Sequence, residues 1–510
     1  MSSKKIWLCF WLGFIFNQIA AKPYSYSLSL NRNKETIYIK TQSDFENYSG
    51  NTFPAGTKIL FEAGAKFYGT FRVLGSGTIN NPNYIGVYNP QNNKTIGTKG
   101  IKRSLIAGMG KTTAPIEIYN GSNWVVENLE ITNSNGTTDN QGSIYGLHII
   151  AENIGIVSNI SIRNCFIHNV NGNVGGKETG GIRVDVLGDT KISKFENLLI
   201  EKNRIENVGG VGISNQSSWG GINSDNYHPW DNVRIRKNEI KNTGRNGIIL
   251  RYAHNPYIEF NIVANSSLYD SGHSIFSFNT TDCVIQFNEV YGNHGRHPNE
   301  IDHGAFDADY NSIGTIIQYN YSHDNDWFCG IMRKGINRNI VIRNNLSVND
   351  KLGVFFYGFP DKNEVENVSI YNNTVVNYIS KNPSVFISNN RIRTPIQTVL
   401  RDNVFYFKNG GTLGTIPDSS CDYEQNYFAN VQPKGFNQDG QIETLLLELN
   451  SDYYNLSSLN AFQRKTLRQI KKPNNLMDNI KSIFRSLIQN RQQFRKVNRK
   501  FEFQQPKEVS

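Results

Sequence analysis

A motif of Ile, two variable residues and Asn recurs through the middle of the chain. It reads Ile200-Glu-Lys-Asn203, Ile235-Arg-Lys-Asn238, Ile285-Gln-Phe-Asn288 and Ile342-Arg-Asn-Asn345, and the same frame holds Ile258…Asn261, Ile317…Asn320, Ile370…Asn373 and Leu400…Asn403. Ile162…Cys165 fits as well, with Cys in the Asn place. From Cys165 the steps are 38, 35, 23, 27, 32, 25, 28 and 30 residues. A helical-repeat array keeps its period, whereas stacked coils tolerate loops of any length between strands of fixed length. Around each motif apolar residues alternate with polar ones, as in Val233, Arg234, Ile235, Arg236, which is the period of a half-buried strand and not of a helix. The chain is therefore a solenoid of strands. Asn once per turn has a physical use: it tolerates the left-handed conformation of a tight bend, and its amide can bond to the Asn of the next coil. A second column lies four residues on, at Asn169, Asn207, Asn242, Asn265, Asp324, Asn349 and Asn377.

With this repeat, and with the opening run Pro54-Ala-Gly-Thr-Lys-Ile-Leu-Phe-Glu-Ala-Gly-Ala-Lys-Phe-Tyr-Gly69 followed by Gly75-Ser-Gly-Thr78, the sequence resembles the parallel β-helix proteins of the pectin-lyase-like superfamily over about residues 35–440. The resemblance implies an all-β, single-stranded, right-handed parallel β-helix solenoid, here with a short α-helical basic C-terminal segment. It implies no single reaction, because the superfamily includes lyases, hydrolases, epimerases and non-enzymatic adhesins.

Three segments are expected: a signal peptide at 1–21, the β-helix domain at 22–440 and a helical cap or tail at 441–510. Lys4 and Lys5, the apolar run Ile6 to Phe16 and the small residues Ala20-Ala21 make a cleavable leader too short to span a bilayer. The expected location is secreted or periplasmic, and no other apolar run reaches membrane-span length. Formal net charge is +10, but residues 461–510 hold 13 Lys/Arg against three acids, so the tail carries the whole excess and the body is neutral. The balance thus gives no reason to expect a basic groove, and an exported chain without a docking motif excludes a nucleic-acid partner. The five cysteines are too scattered for a disulfide framework; Cys165 and Cys283 are expected as buried free thiols. The chain is expected to act as a monomer.

Strands laid over one another after each Asn bend place Ile182, Ile213, Ile248, Ile275, Phe306, Ile331 and Val354 inward. The following residues form two outward columns, Arg183/Ile249/Phe276/Asp307/Met332/Phe355 and Asp185/Arg251/Phe278/Asp309/Lys334/Tyr357. With ~4.8 Å between stacked strands, this face is a strip of acids, bases and aromatics suited to a polysaccharide or oligosaccharide. At its centre lies His294-Gly-Arg-His-Pro-Asn-Glu-Ile-Asp-His-Gly-Ala-Phe-Asp-Ala-Asp309, with three of the nine His and four acids in sixteen residues. Asp307 and Asp309 share one strand face at ~6.6 Å, a spacing that admits a water and suits inverting glycoside hydrolysis better than the ~5–5.5 Å of retaining enzymes.

Two readings of this face are catalytic. As a glycoside hydrolase it would use Asp307 and Asp309 as acid and base, with His303 or Asp324 assisting. Arg251, Lys334, Arg333, His323, Asp185 and Arg183 would then bind substrate polar groups, and Trp219, Trp230, Tyr252, Trp327 and Tyr357 would serve as ring platforms. As a uronate lyase it would use Lys334, Arg333, Arg251 or a His as base. No cofactor or metal is required, although Asp-x-Asp is also an oxygen donor set for Ca²⁺. A non-catalytic glycan-binding solenoid is the third reading, with Asp324 a turn residue and the aromatics stacking in the core. The run Gly304-Ala-Phe-Asp-Ala-Asp309…Gln318-Tyr-Asn-Tyr-Ser-His-Asp-Asn325 is similar to one in exported β-helix carbohydrate-active proteins. Against polygalacturonase-type hydrolases, Asp307/Asp309, His303-Gly304 and Arg333-Lys334 are only approximate counterparts, so no role is carried over.

Overall fold

Each coil contributes three strands, one to each of three parallel ladders. Ile156–Arg163, Phe166–Val170 and Gly180–Leu187 make one coil, and Lys194–Glu201, Arg204–Val208 and Val211–Ser217 the next. They pair in parallel through Ile162↔Ile200 on face 1, Ile167↔Ile205 on face 2 and Ile182↔Ile213 on face 3. Parallel partners need a long crossover. Here the rest of the coil supplies it, giving a parallel β-helix solenoid. The computed structural model describes residues 35–432 apart from 96–101, 138–141, 174–175, 297–301, 333–334, 359–364, 389–396, 415–421 and 425. The expected leader and helical tail, with Cys9 and Cys421, lie outside the described residues. No helix among the described residues is long and apolar enough to cross a membrane.

The side chains of Ile162, Ile167, Ile182, Ile200, Ile205 and Ile213 belong to one continuous buried core. Above it, the first strand Thr36–Ile39 leads into a helix, Gln42–Tyr48, whose Thr41/Asp44 capping box satisfies its first N–H groups. Phe45 of this helix packs on Phe61, Phe67 and Phe71. The helix thereby helps close a sheet end that would otherwise invite pairing with another chain.

The Asn repeat is an interior ladder. Asn203 Nδ2 donates to Asn238 Oδ1 and to Ile162 O, each at 3.0 Å, and the same bonds run from Asn238 to Asn261, Asn288, Asn320, Asn345, Asn373, Asn403 and Asn426. The left-handed residue is not this Asn but the one before it: Lys202, Lys237, Phe260, Phe287, Tyr319, Asn344, Asn372 and Asp402 have φ of 54–59°. The Asn must project inward to bond along the axis, so its outward neighbour takes the bend. A bulky residue accepts this conformation only where its surroundings over-determine it, and Phe260, Phe287 and Tyr319 stack on one another at 4.9 and 5.3 Å. In the second column the Asn itself is left-handed, with φ of 50–56° at Asn169, Asn207, Asn242, Asn265, Asp324 and Asn349.

Cys165, Cys283 and Cys329 are free and buried. Burial pushes the Cys165 and Cys283 thiols up to about 12, so little thiolate forms near neutrality. Alkylation of the native protein should leave all three unmodified, and unfolding should expose them; mass spectrometry of the digest reads both.

On face 3, Ile182, Ile213, Ile248, Ile275 and Phe306 align and point inward as expected. One coil further, Phe306 pairs with Cys329, not Ile331, and Cys329 pairs with Phe355. A slip of two preserves the faces, so alternation alone does not detect it. Phe355 and Tyr357 prove to be core residues, not outward ones. The cause is a corner: Ala305 and Phe306, Phe328 and Cys329, and Val354 and Phe355 all enter the core as consecutive pairs, and counting by two from such a pair lands on the wrong face.

Candidate functional site

The strand Gly304–Ala308 sets Phe306 and Ala308 into the core, so Asp307 leaves on the outer face, in register with Phe276 before it and Gly330 after it. Asp309 follows two residues on and is half-buried, whereas Asp307 is only 2% exposed. The two share a strand face but not an environment.

The ring of His273, with a side chain 0% exposed, lies against Asp307: Nδ1 is 3.7 Å from Asp307 Oδ2. The same Nδ1 is 2.7 Å from Asp302 Oδ1. A carboxylate only accepts, so Nδ1 carries the proton and donates it to Asp302. Asp302, whose side chain is 28% exposed, also has Lys177 Nζ 3.6 Å from its Oδ2, and Lys177 sits 5.2 Å over the ring of Phe276. Three carboxyls, a histidine and a lysine thus form one patch.

Their protonation differs for stated reasons. Burial, and then the charges of Asp309 and Asp302, push Asp307 well above the usual carboxylate range. Burial pushes Asp309 up to about 6, against the pull of Lys177, the Tyr310 N–H and Arg251. For Asp302 burial acts upward too, but the His273 hydrogen bond and the charge of Lys177 outweigh it and hold the carboxyl well below the ordinary value. Near neutral pH the patch holds an ionised Asp302, an Asp309 poised between forms and a neutral Asp307.

Arg183, Asp185 and Arg251 stand on face 3 as expected, but they are buried and engaged with one another's surroundings. Arg183 Nε lies 2.7 Å from Asp185 Oδ1, and His148 Nε2 lies 2.8 Å from Asp185 Oδ2. Glu178 pairs with Arg183 and lies 3.7 Å from Arg251, whose Nη1 donates to Asn215 O at 2.9 Å. These groups form a sealed ion network beside the acids, not a set of free substrate ligands. Glu178 and Lys177 come from the segment entering face 3 in an earlier coil, and strand periodicity carries no signal for such a reach.

Other expected residues are elsewhere. His303 Nδ1 faces Asp326 Oδ2 at 2.9 Å, and His294 Nδ1 faces Asp326 Oδ1 at 2.8 Å; His303 is thus turned to a second cluster. His323 is on face 2, stacked between Tyr291 and Tyr321 and bonded to Asp324 Oδ2 at 2.6 Å, and Asp324 takes the bend after it. Trp327 is buried with Met332 and Phe356, while Trp230 and Tyr357 lie in the core, so none of the three offers a ring face. Trp219 and Tyr252 remain half-buried. Arg333 and Lys334 lie outside the described residues. Among the described residues no group of three or more His, Cys, Asp or Glu is placed to hold a metal ion. The acids that sequence reasoning passed over are Asp302, five residues before the chosen pair, and with it His273 and Lys177.

Fold and site together define a parallel β-helix protein with a graded carboxylate cluster on its outer face. No protein-family model matches the chain. It is similar to a lacto-N-biosidase of Bifidobacterium longum subsp. longum, 28% identical over 345 residues, which is 55% of this chain and 21% of that protein. The chain therefore spans about a fifth of the length of that relative. Among solved structures it is similar to the GH136 lacto-N-biosidase from Eubacterium ramulus, with a TM-score of 0.58, 22% identity and coverage of 73% of this chain and 68% of that one. The selenomethionine derivative of the same enzyme gives a TM-score of 0.56 at 21% identity, covering 78% and 68%. These two likenesses are of fold.

Proposed function

We propose that the chain is a glycoside hydrolase, a pectin-lyase-like β-helix enzyme acting on an oligosaccharide, with Asp309 as the acid and Asp302 as the ionised carboxylate. The observation that carries this reading is the split in protonation between two carboxyls that both keep some exposure. Asp309 would protonate the departing glycosidic oxygen, and Asp302 would assist attack at the anomeric carbon, as base toward water or as nucleophile. Asp307 is withdrawn from the pair because a carboxyl sealed behind His273 cannot meet sugar or water. The spacing argument for inversion, drawn from Asp307 and Asp309, falls with it. The similarity to lacto-N-biosidases supports the hydrolase reading and suggests a glycan ending in lacto-N-biose. A lyase would need a free cation beside the acids, and Arg251 is already held by Glu178 and Asn215. The chemistry needs no cofactor, and the Lys4-Lys5 leader supports a secreted or periplasmic monomer.

The test is to incubate the protein with p-nitrophenyl lacto-N-bioside and with a panel of neutral, uronate and sulfated glycans. New reducing ends support hydrolysis. Unsaturated, ultraviolet-absorbing products would mean a lyase, and saturable binding with neither product would mean an adhesin. The pH profile follows from the same assignment. An acid must be protonated to donate, so kcat/KM should fall about tenfold per pH unit above the value of about 6 at Asp309. Asp302 stays ionised below the ordinary carboxylate range, so the acidic limb should lie low. A profile that stays flat well above neutrality would remove Asp309 from the role of acid.

A further inference from the structure

We propose that His273 is a positioning residue for the reaction, fixing the rotamer of Asp302 from behind so that the carboxylate presents one defined edge to the sugar. The inference rests on the hydrolase reading above and adds to it a residue that touches no substrate.

Three observations carry it. The Nδ1–H bond to Asp302 is 2.7 Å long and comes from a ring with no exposed surface, while Asp302 itself keeps an exposed edge. The donor is thus rigid and the acceptor is the group at the surface. The backbone on either side of His273 is clamped: Asn246 Nδ2 donates to His273 O, and Asn293 Nδ2 donates to Gly272 O at 2.9 Å and Ser274 Oγ at 3.1 Å. Finally, the ring occupies room that two glycines leave. A Cβ on Gly304 would stand 2.6 Å from His273 Cδ2, and one on Gly330 would stand 2.7 Å from Nε2. Neither glycine has a positive φ, so the backbone does not require glycine there; the ring does.

A buried histidine that merely fills the space would satisfy the glycines equally well, and Asp302 separates the two cases. A hydrogen bond that orients a catalytic carboxylate acts on turnover more than on affinity, and losing such a supporting bond typically costs 10–100-fold. It also favours the ionised form of its acceptor. The charged groups facing the pair are Lys177 and Arg245 on one side and Asp307 and Asp309 on the other, and all of them stay in place when the ring is changed.

The experiment compares His273→Leu, which removes the donor, with His273→Asn, which offers an amide N–H near the same place, and with Asp302→Asn. His273→Leu should lower kcat by about 10–100-fold with KM nearly unchanged, and the acidic limb of kcat/KM should move up by about one pH unit or more. His273→Asn should restore most of both. Wild-type kcat and an unmoved limb in a folded His273→Leu would overturn the proposal. If that variant does not fold, the wild type decides: the His273 Nδ1 proton should give a downfield, slowly exchanging NMR resonance that moves upfield in Asp302→Asn, and its absence overturns the proposal as well. Should Asp302→Asn keep full activity, the assignment of Asp302 fails instead, a result distinct from an inactive Asp302→Asn beside a fully active His273→Leu.

Discussion

Replacing Asp302 or Asp309 by Asn should lower kcat by about 10³-fold, whereas the same replacement at Asp307 should leave it within about tenfold of the wild type. Asn keeps the size of the side chain and removes the titration, so the comparison isolates chemistry from packing. At Asp309 the lost function is the proton delivered to the leaving group; at Asp302 it is the negative charge at the anomeric carbon. Asp307 has neither task, since it is 2% exposed and burial holds it neutral.

Stability should move in the other direction at that third position. A carboxyl whose folded-state pKa is raised contributes stability that is fully present below the unfolded value of about 4 and is lost as pH rises through the folded value. Asp307→Asn removes that loss. Its melting temperature should exceed that of the wild type at neutral pH, and the two should converge on acidification. Inactivity of Asp307→Asn, with Asp302→Asn active, would restore the pair read from the sequence and dismiss the one read from the structure.

The error at Asp307 shows how far the sequence reached. Period-two alternation correctly put Asp307 and Asp309 on the outer face, because that face depends only on Phe306 and Ala308 pointing in. It could not report what covers the outer face. The cover at Asp307 is His273, from the preceding coil, and nothing in the Asp-x-Asp spacing announces it. Asp302 was legible as one of four acids in a dense segment, but it precedes the strand, where alternation has no phase. The interior was legible throughout: Ile182, Ile213, Ile248, Ile275 and Phe306 stand where the pattern put them. It failed first at Phe355 and Tyr357, where two consecutive core residues turn a corner and a count by two loses its origin.

The Asn ladder should give the largest stability effect in the molecule. Asn288 is fully buried; its Nδ2 donates to Ile258 O at 2.9 Å and Asn320 Oδ1 at 3.0 Å, and its Oδ1 accepts from Asn261 N at 2.9 Å and Asn261 Nδ2 at 3.0 Å. Asn288→Ala removes all four bonds and leaves Ile258 O and two Asn261 donors buried without partners. At ~1–3 kcal/mol for each stranded group, the loss is about 4–6 kcal/mol. Asn265 belongs to the other column, where its Nδ2 makes an exposed bond of 3.1 Å to Asn242 Oδ1. Water replaces that partner, so Asn265→Ala should cost ~1 kcal/mol or less. Asn203 falls between, because Cys165 before it has no amide and offers only a backbone N–H to Asn203 Oδ1 at 3.0 Å. Denaturant midpoints should therefore fall most for Asn288→Ala, less for Asn203→Ala and least for Asn265→Ala. Equal losses at Asn288 and Asn265 would mean that the repeat stabilises the coils through the bend alone, and that the axial hydrogen bonds contribute nothing beyond what water returns.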